Sequence, residues 1–276
     1  MVDLTTGVIR AGGPPCVAPW CRVRGDKSGG VYRATVGAIA SHWLIDLTGL
    51  RSSVAGVAGV DAAPRTAGRF FAAGAAPTVR AAMDELMGSI WGGVWYEGAL
   101  GVATVGRLPL VGGAVKAAYR ERVNCDPIMP DSYSQDAAAK RIEWRYARNY
   151  NPAASPSQAA TSEQVLRAIT EWLVEPHDNG AVAAAWGNAA RTVTVDSLLY
   201  NSADAAAEAA LAAADLAYPW RVWRAPVWGG AAGVDIGDEI LVYSDQPGFE
   251  NGGRLIVIGR SLSNRAGRAI LIGITR

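Results

Sequence analysis

The side chains best suited to chemistry are few: Cys16, Cys21 and Cys125, with His42 and His177 as the two histidines. A thiol nucleophile with an imidazole base, or a metal held by sulfur and nitrogen, must draw on this set. Cys16 and Cys21 stand in the run Cys16-Val17-Ala18-Pro19-Trp20-Cys21, and His42 or Asp126 would complete four ligands with Cys125. Zinc and iron–sulfur sites use closely paired thiolates, so one loose pair and a distant third cysteine fall short of that pattern. A Cys16–Cys21 disulfide or buried thiols account for the same residues. The catalytic reading is a cysteine- or metal-dependent hydrolase using Cys16 or Cys21 with His42. No G-x-S-x-G elbow, H-E-x-x-H pair or phosphate-binding G-K-[ST] loop is present, and these are the spacings that carry such mechanisms. The carboxylate pairs Asp84/Glu85 and Asp235/Asp238 are fixed by no motif and read as solvated or capping groups.

The elements that would hold these residues divide the chain into four stretches. Residues 1–76 are rich in Gly, Pro, Ala and Val, and the runs at 31–36 and 43–47 read as short strands between turn signals, with His42 in alternating sequence. In 77–150, Thr78 caps a helix that places Val79, Met83, Leu86, Met87 and Ile90 on one face. A hairpin follows across 94–105. The run 141–150 alternates strictly, with Ile142, Trp144 and Tyr146 on one side and Arg141, Glu143 and Arg145 on the other.

Within 151–217 a Pro/Ser/Ala linker leads to the capping box at Thr161–Gln164 and a helix carrying Val165, Ile169 and Trp172 as far as Pro176. A strand at 192–195 and a helix over 203–216 follow, the latter capped by Asn201 or Ser202 with Asp204 and Glu208 near its start. Residues 218–276 read as a β-domain of barrel or sandwich type, with turns at Gly237-Asp238, Gln246-Pro247-Gly248 and Gly252-Gly253. Its last two strands are almost continuously apolar, which predicts cover on both faces, one of them by a partner subunit. The fold class is α+β, mainly β.

The chain has 276 residues, of which half are hydrophobic and only 18% charged, with 26 Lys+Arg against 25 Asp+Glu. A net charge of +1 gives no bulk attraction to nucleic acid or to a membrane surface. The first residues lack a signal-peptide pattern, and the apolar stretch 98–119 is broken by Arg107, Pro109 and Lys116. Neither export nor stable membrane insertion is therefore expected. Sparse, odd cysteines fit a reducing compartment. Ten tryptophans stand out, several beside arginine as in Trp144-Arg145 and Trp220-Arg221-Val222-Trp223-Arg224. Such residues serve either core packing or subunit interfaces.

Three stretches of the last third resemble tailed-phage baseplate hub, or tail-tip, proteins. They are the helix Asn201-Ser202-Ala203-Asp204-Ala205-Ala206-Ala207-Glu208-Ala209, the strand Ile236-Gly237-Asp238-Glu239-Ile240-Leu241-Val242, and the loop and strand from Pro247 through Gly252-Gly253-Arg254 to Gly259. The helix at Pro77–Asp84, the hairpin around Trp95–Leu100 and the strand at Arg145–Tyr150 are similar to the hub's central α/β insertion. The resemblance implies tail-tube-like β-barrel or sandwich domains and a structural role without catalysis. Such a hub joins a sixfold tail tube to a threefold tip and lines the channel for DNA ejection.

It also implies a homotrimer that contacts distal tail or tube proteins, a tail spike or fibre and the tape-measure protein, with transient passage of DNA, in a virion assembled in the host cytoplasm. Trp144, Arg145, Trp220, Trp223, Gly237, Asp238, Gly252, Gly253 and Arg254 become the expected assembly residues. No cofactor is expected. The variant with a metal is an iron–sulfur-bearing tail-tip protein using Cys16, Cys21 and Cys125, or a zinc site that adds His42.

Overall fold

The computed structural model describes residues 2–3, 8–9, 32–49, 54–68, 78–97, 102–108, 114–131, 137–150, 152, 161–228, 233–262 and 268–275. Cys16, Cys21 and the turn signals before residue 31 lie outside these residues, as does most of the expected linker at 151–160. In chain order, the pair β1 (Val2–Asp3) and β2 (Val8–Ile9) precedes α1 (Val36–His42), a π-helical turn (Trp43–Leu47) and α2 (Val54–Asp61). Then come α3 (Val79–Met87), β3 (Gly93–Glu97), β4 (Ala103–Arg107), β5 (Val115–Arg120), β6 (Met129–Pro130) and β7 (Ala139–Tyr146). The next elements are α4 (Ser162–Ile169), β8 (Leu173–Asp178), α5 (Gly180–Trp186), β9 (Arg191–Asp196) and α6 (Ser202–Asp215). Strands β10 (Arg221–Trp228), β11 (Glu239–Tyr243), β12 (Gly253–Leu262) and β13 (Arg268–Thr275) close the chain.

Among the described residues these elements build two main hydrophobic cores and a small third cluster of Ala138, Val182 and Ala190. In the first, α1, α2, α3, the β3–β4 hairpin and α6 pack against a three-stranded sheet of order β8-β7-β9. Its central strand β7 shows the alternation expected from sequence, with Ile142, Trp144 and Tyr146 buried. Helix α3 keeps its expected cap at Thr78, and it buries Met83, Leu86 and Met87 with Ile90 just beyond its end. Helix α6 starts at Asn201, whose side chain accepts from the Asp204 amide, and its alanine face (Ala205, Ala209, Ala212) packs into the core. Alanine permits close approach there, and a single row of small side chains repeats every helical turn.

The second core lies inside a six-stranded sheet of order β5-β11-β12-β13-β10-β6. All neighbours are antiparallel except β5 and β11. Two separate chain stretches therefore make it: β5 and β6 come from 114–131, and the rest follows α6. None of the sheets closes into a barrel among the described residues. The α+β expectation holds, while the closed-barrel geometry does not.

Three local expectations need correction. The runs at 31–36 and 43–47 are not strands: Thr35 caps α1, and Val36, Ala40 and Leu44 are buried at a spacing of four, the helical period. The β-branched residues there suggested strands, but packing of one helical stripe overrides that propensity. The 162–176 stretch is not one helix. The capping box forms as expected, with the Thr161 amide donating to Gln164 Oε1, yet α4 stops at Ile169 and Pro176 lies within β8. Proline is tolerated because β8 is an edge strand, where a missing donor breaks no second ladder. His177 is accordingly a strand residue opposite Ile142, not part of a breaker.

Finally, the apolar runs of β12 and β13 are fully buried on one face and partly covered on the other. Leu255, Val257, Ala269 and Leu271 are buried, whereas on the opposite face Ile270 is exposed, Ile256, Ile258 and Ile272 are half-buried and Ile274 is buried.

Close backbone approach explains the glycine in α2. A Cβ on Gly56 would overlap the Val105 carbonyl oxygen, so glycine lets α2 lie directly on β4. At the far end of α2, the Asp61 carboxylate accepts from the Thr35 hydroxyl at 3.0 Å and from the Gly37 amide at 3.1 Å. The start of α1 is thereby tied to the end of α2.

Candidate assembly surfaces and the buried carboxylate

The α6 motif Ala203-Asp204-Ala205-x-x-Glu208-Ala209 anchors a dense polar cluster. Glu208 has no exposed side-chain surface. It accepts from Arg65 Nε at 2.6 Å, from Arg107 Nη2 at 2.7 Å and Nη1 at 3.2 Å, and from the Trp91 amide at 2.7 Å. One turn earlier, Asp204 accepts from the Thr66 amide at 2.7 Å, the Thr66 hydroxyl at 2.6 Å and the Asn201 side chain at 2.9 Å. One helix thus holds the 65–66 segment, the turn after α3 and strand β4 through two carboxylates. A buried ion needs several such partners, because leaving water costs several kcal/mol per charge. Sequence reading placed Asp204 and Glu208 by the helix dipole and missed this role. Arginines 101 and 143 residues away supply the partners, and no local pattern reveals them.

The end of α6 joins the two cores. Trp91 Nε1 donates to Asp215 Oδ2 at 2.6 Å, and Trp220 Nε1 donates to the Asp215 carbonyl at 2.9 Å. The two indoles meet edge-on with centroids 6.4 Å apart. Trp220 therefore fixes the passage from α6 into β10. On the hairpin, the Tyr96 hydroxyl is held above the ordinary tyrosine range by burial and by the nearby charges of Asp235 and Asp238, with Arg260 opposing them.

The remaining expected assembly residues take distinct places. Trp144 and Trp223 are packing residues of the first and second core, buried within this chain. Gly237 has φ +92°, a conformation suited to glycine, and Asp238 Oδ2 closes the turn by accepting from the Asp235 amide at 2.8 Å. Gly252 also has positive φ, and a Cβ on Gly253 would overlap the Phe249 ring. That ring plugs the second core, meeting Trp223 edge-on at 4.8 Å. Six of the expected residues therefore have packing or turn roles within this chain.

Arg145 and Arg254 do reach the surface. Arg145 pairs with Asp196 at 3.2 Å on the open face of the three-stranded sheet, where Arg141 also bridges Glu143 and Asp178. Arg254 is 64% exposed and pairs at 2.8 Å with Glu239, which is only 4% exposed. It stands on the outer face of the large sheet, where the isoleucines of β12 and β13 are bordered by Arg224 and Arg268. An apolar centre with an arginine rim is the composition of a protein interface.

The candidate thiol and imidazole set is only partly within the described residues. His42 ends α1 beside the first core, whereas Cys125 is fully buried in the second. Among the described residues, no three His, Cys, Asp or Glu side chains are grouped to hold a metal ion. The Cys125 thiol donates to the Asp126 carbonyl at 3.0 Å, and its pKa is pushed up to about 12, by burial first and by Asp126 and Glu121 after it. It is held as a neutral thiol, the opposite of a metal-ligating or nucleophilic thiolate.

Folded protein at pH 8 should leave Cys125 unmodified by iodoacetamide, as read by peptide mass spectrometry, while denaturant should expose it to full labelling. The folded state keeps this proton after the unfolded thiol has lost it. Stability is therefore complete below the ordinary value of 9.0 and falls as pH rises toward about 12.

No helix among the described residues is long and apolar enough to cross a membrane. No family model and no curated protein matches the sequence. Solved structures do. The tail protein from Neisseria meningitidis MC58 superposes with a TM-score of 0.51 at 15% identity, over 87% of this chain and 67% of that one. The fold is shared with a tail protein. A chain of the virion of the native gene transfer agent particle superposes with a TM-score of 0.53 at 15% identity, over 99% of this chain. This chain spans 55% of that virion protein's length. At the level of fold, the relation to tail proteins expected from the motifs holds.

Proposed function

We propose that this chain is a structural component of a phage-type virion tail, and within it the hub that joins a sixfold tube to a threefold tip. The observation that carries the reading is the superposition of nearly the whole chain, both cores included, on a protein of an assembled virion particle. The arginine-rimmed isoleucine face of the large sheet supports it, since that surface has the make-up of an interface between subunits. In this reading three copies form the hub. Their β-sheets surround the channel for DNA and the tape-measure protein, and tube, spike or fibre proteins dock above and below. The chain's work is to position its neighbours, with no catalytic step and no cofactor.

Electron microscopy of the assembled particle tests this directly. Three copies around a central channel at the tail end are the expected result. Particles in which this chain is absent, or sits away from the tail axis, would overturn the hub.

A further inference from the structure

A register shift singles out Lys140 at the start of β7. Ala139 opposes Arg191 on β9 and Arg141 opposes Thr192, so Lys140 is an extra residue between two neighbouring pairs. Such a shift breaks strict alternation and re-aims side chains. Ala139 and Ile142 are buried, whereas Lys140 and Arg141, consecutive in sequence, both stay half-buried. The two cations line a cavity of about 290 Å³ together with Asp178, Asn179, Gly180 and Thr192. Arg141 is already engaged there, by Asp178 at 3.2 Å and by Glu143 at 3.0 Å. The Lys140 ammonium has no ion-pair partner among the described residues. With two cations and one carboxylate in its lining, the cavity keeps one positive charge uncompensated.

We infer that this cavity is a binding site for a single carboxylate side chain, presented by an acidic segment of a partner protein. Its size lies just below the roughly 300–1,000 Å³ of small-molecule pockets, which suits one side chain rather than a cofactor. The Lys140 ammonium supplies the charge that a carboxylate neutralises. Asn179 Oδ1 is occupied in capping α5, accepting from the Val182 amide at 3.2 Å, so the side-chain NH2 remains as a donor beside the Thr192 hydroxyl. The stems of Lys140 and Arg141 and the methyl group of Ala183 offer apolar wall to the methylenes of a glutamate. A Cβ on Gly180 would meet nothing within 4 Å, so the cavity is open on that side. Charge balance selects a protein partner over nucleic acid. One free cation neutralises one phosphate, and further phosphates would meet Asp178, Glu143 and Asp196 on the same face of the sheet.

Amide NMR of the full chain, titrated with a capped Ala-Glu-Ala tripeptide, tests the inference, with melting temperature as the check of folding. Saturable shifts at Lys140, Gly180 and Thr192 are expected, and the capped Ala-Gln-Ala tripeptide, equal in shape but neutral, should leave those amides in place. Lys140→Met keeps the stem and removes the charge, so it should weaken binding by about tenfold or more. Asp178→Asn should act in the opposite direction and tighten binding by about two- to fivefold, because it removes the carboxylate that competes for Arg141.

No saturable shift with the glutamate peptide, equal shifts with the glutamine peptide, or binding unchanged in Lys140→Met would overturn the site. A single-stranded oligonucleotide that shifts the same amides at lower concentration than the peptide would overturn the choice of a protein partner. If Lys140→Met fails to fold, the glutamate–glutamine contrast and Asp178→Asn decide. The site is built from this chain's own residues, so its failure leaves the tail reading intact, and a virion lacking this chain leaves the site intact.

Discussion

Replacing Glu208 by alanine is expected to destabilise the fold by about 3–5 kcal/mol, the range seen when one partner of a buried ion network is removed. Arg65 and Arg107, with side chains only 16% and 19% exposed, would lose the carboxylate that both of them bond. The Trp91 amide would lose its acceptor as well. The loss is read as a lowered urea midpoint with an unchanged slope, which separates stability from a change in compactness. Glu208→Gln should fall between the parent and the alanine variant, since the amide keeps an acceptor oxygen but no charge. Arg107→Met should cost less than Glu208→Ala, because Arg65 still neutralises the carboxylate. A cost below about 1 kcal/mol for Glu208→Ala would mean that the network does not hold α6 to its neighbours.

The second large effect is expected at Trp144. It is fully buried at the centre of β7 between β8 and β9, so Trp144→Ala should cost about 3–5 kcal/mol through lost burial and an unfilled cavity. Trp144→Phe should cost clearly less. The indole Nε1 has no hydrogen-bond partner among the described residues, and phenylalanine removes that buried donor along with part of the ring. Thermal melting of the two variants checks the order. Were Trp144 an interface residue, truncation would leave the melting temperature of the isolated chain alone and change association only.

The same logic separates what the sequence carried from what it did not. Local, periodic signals survive folding almost unchanged. The Thr78 cap with the buried face of α3, the strict alternation of β7, the Thr161–Gln164 capping box and the four C-terminal strands were all legible. Each depends on residues within one or two turns, or on adjacent strand positions. The sequence alone also carried the order of helix, turn and loop motifs that resembles tail proteins, and the shared fold agrees with it.

What lay beyond reach depends on partners distant in the chain. The stretch 31–47 offered both β-branched residues and a spacing of four, and only the packing of Val36, Ala40 and Leu44 into one core selected the helical period. Pro176 reads as a stop until the sheet order places β8 at an edge. The packing of Phe249 against Gly253 and Trp223 in the second core is likewise invisible in the local sequence. Strands β5 and β6 belong to the C-terminal sheet although more than a hundred residues separate Val115 from Glu239, their register partners across β5 and β11. The sequence by itself determined which short segments form elements and how each is capped. The tertiary structure decided which charges are buried, which edges stay open and which chain stretches share a core, because those outcomes depend on contacts that no local window contains.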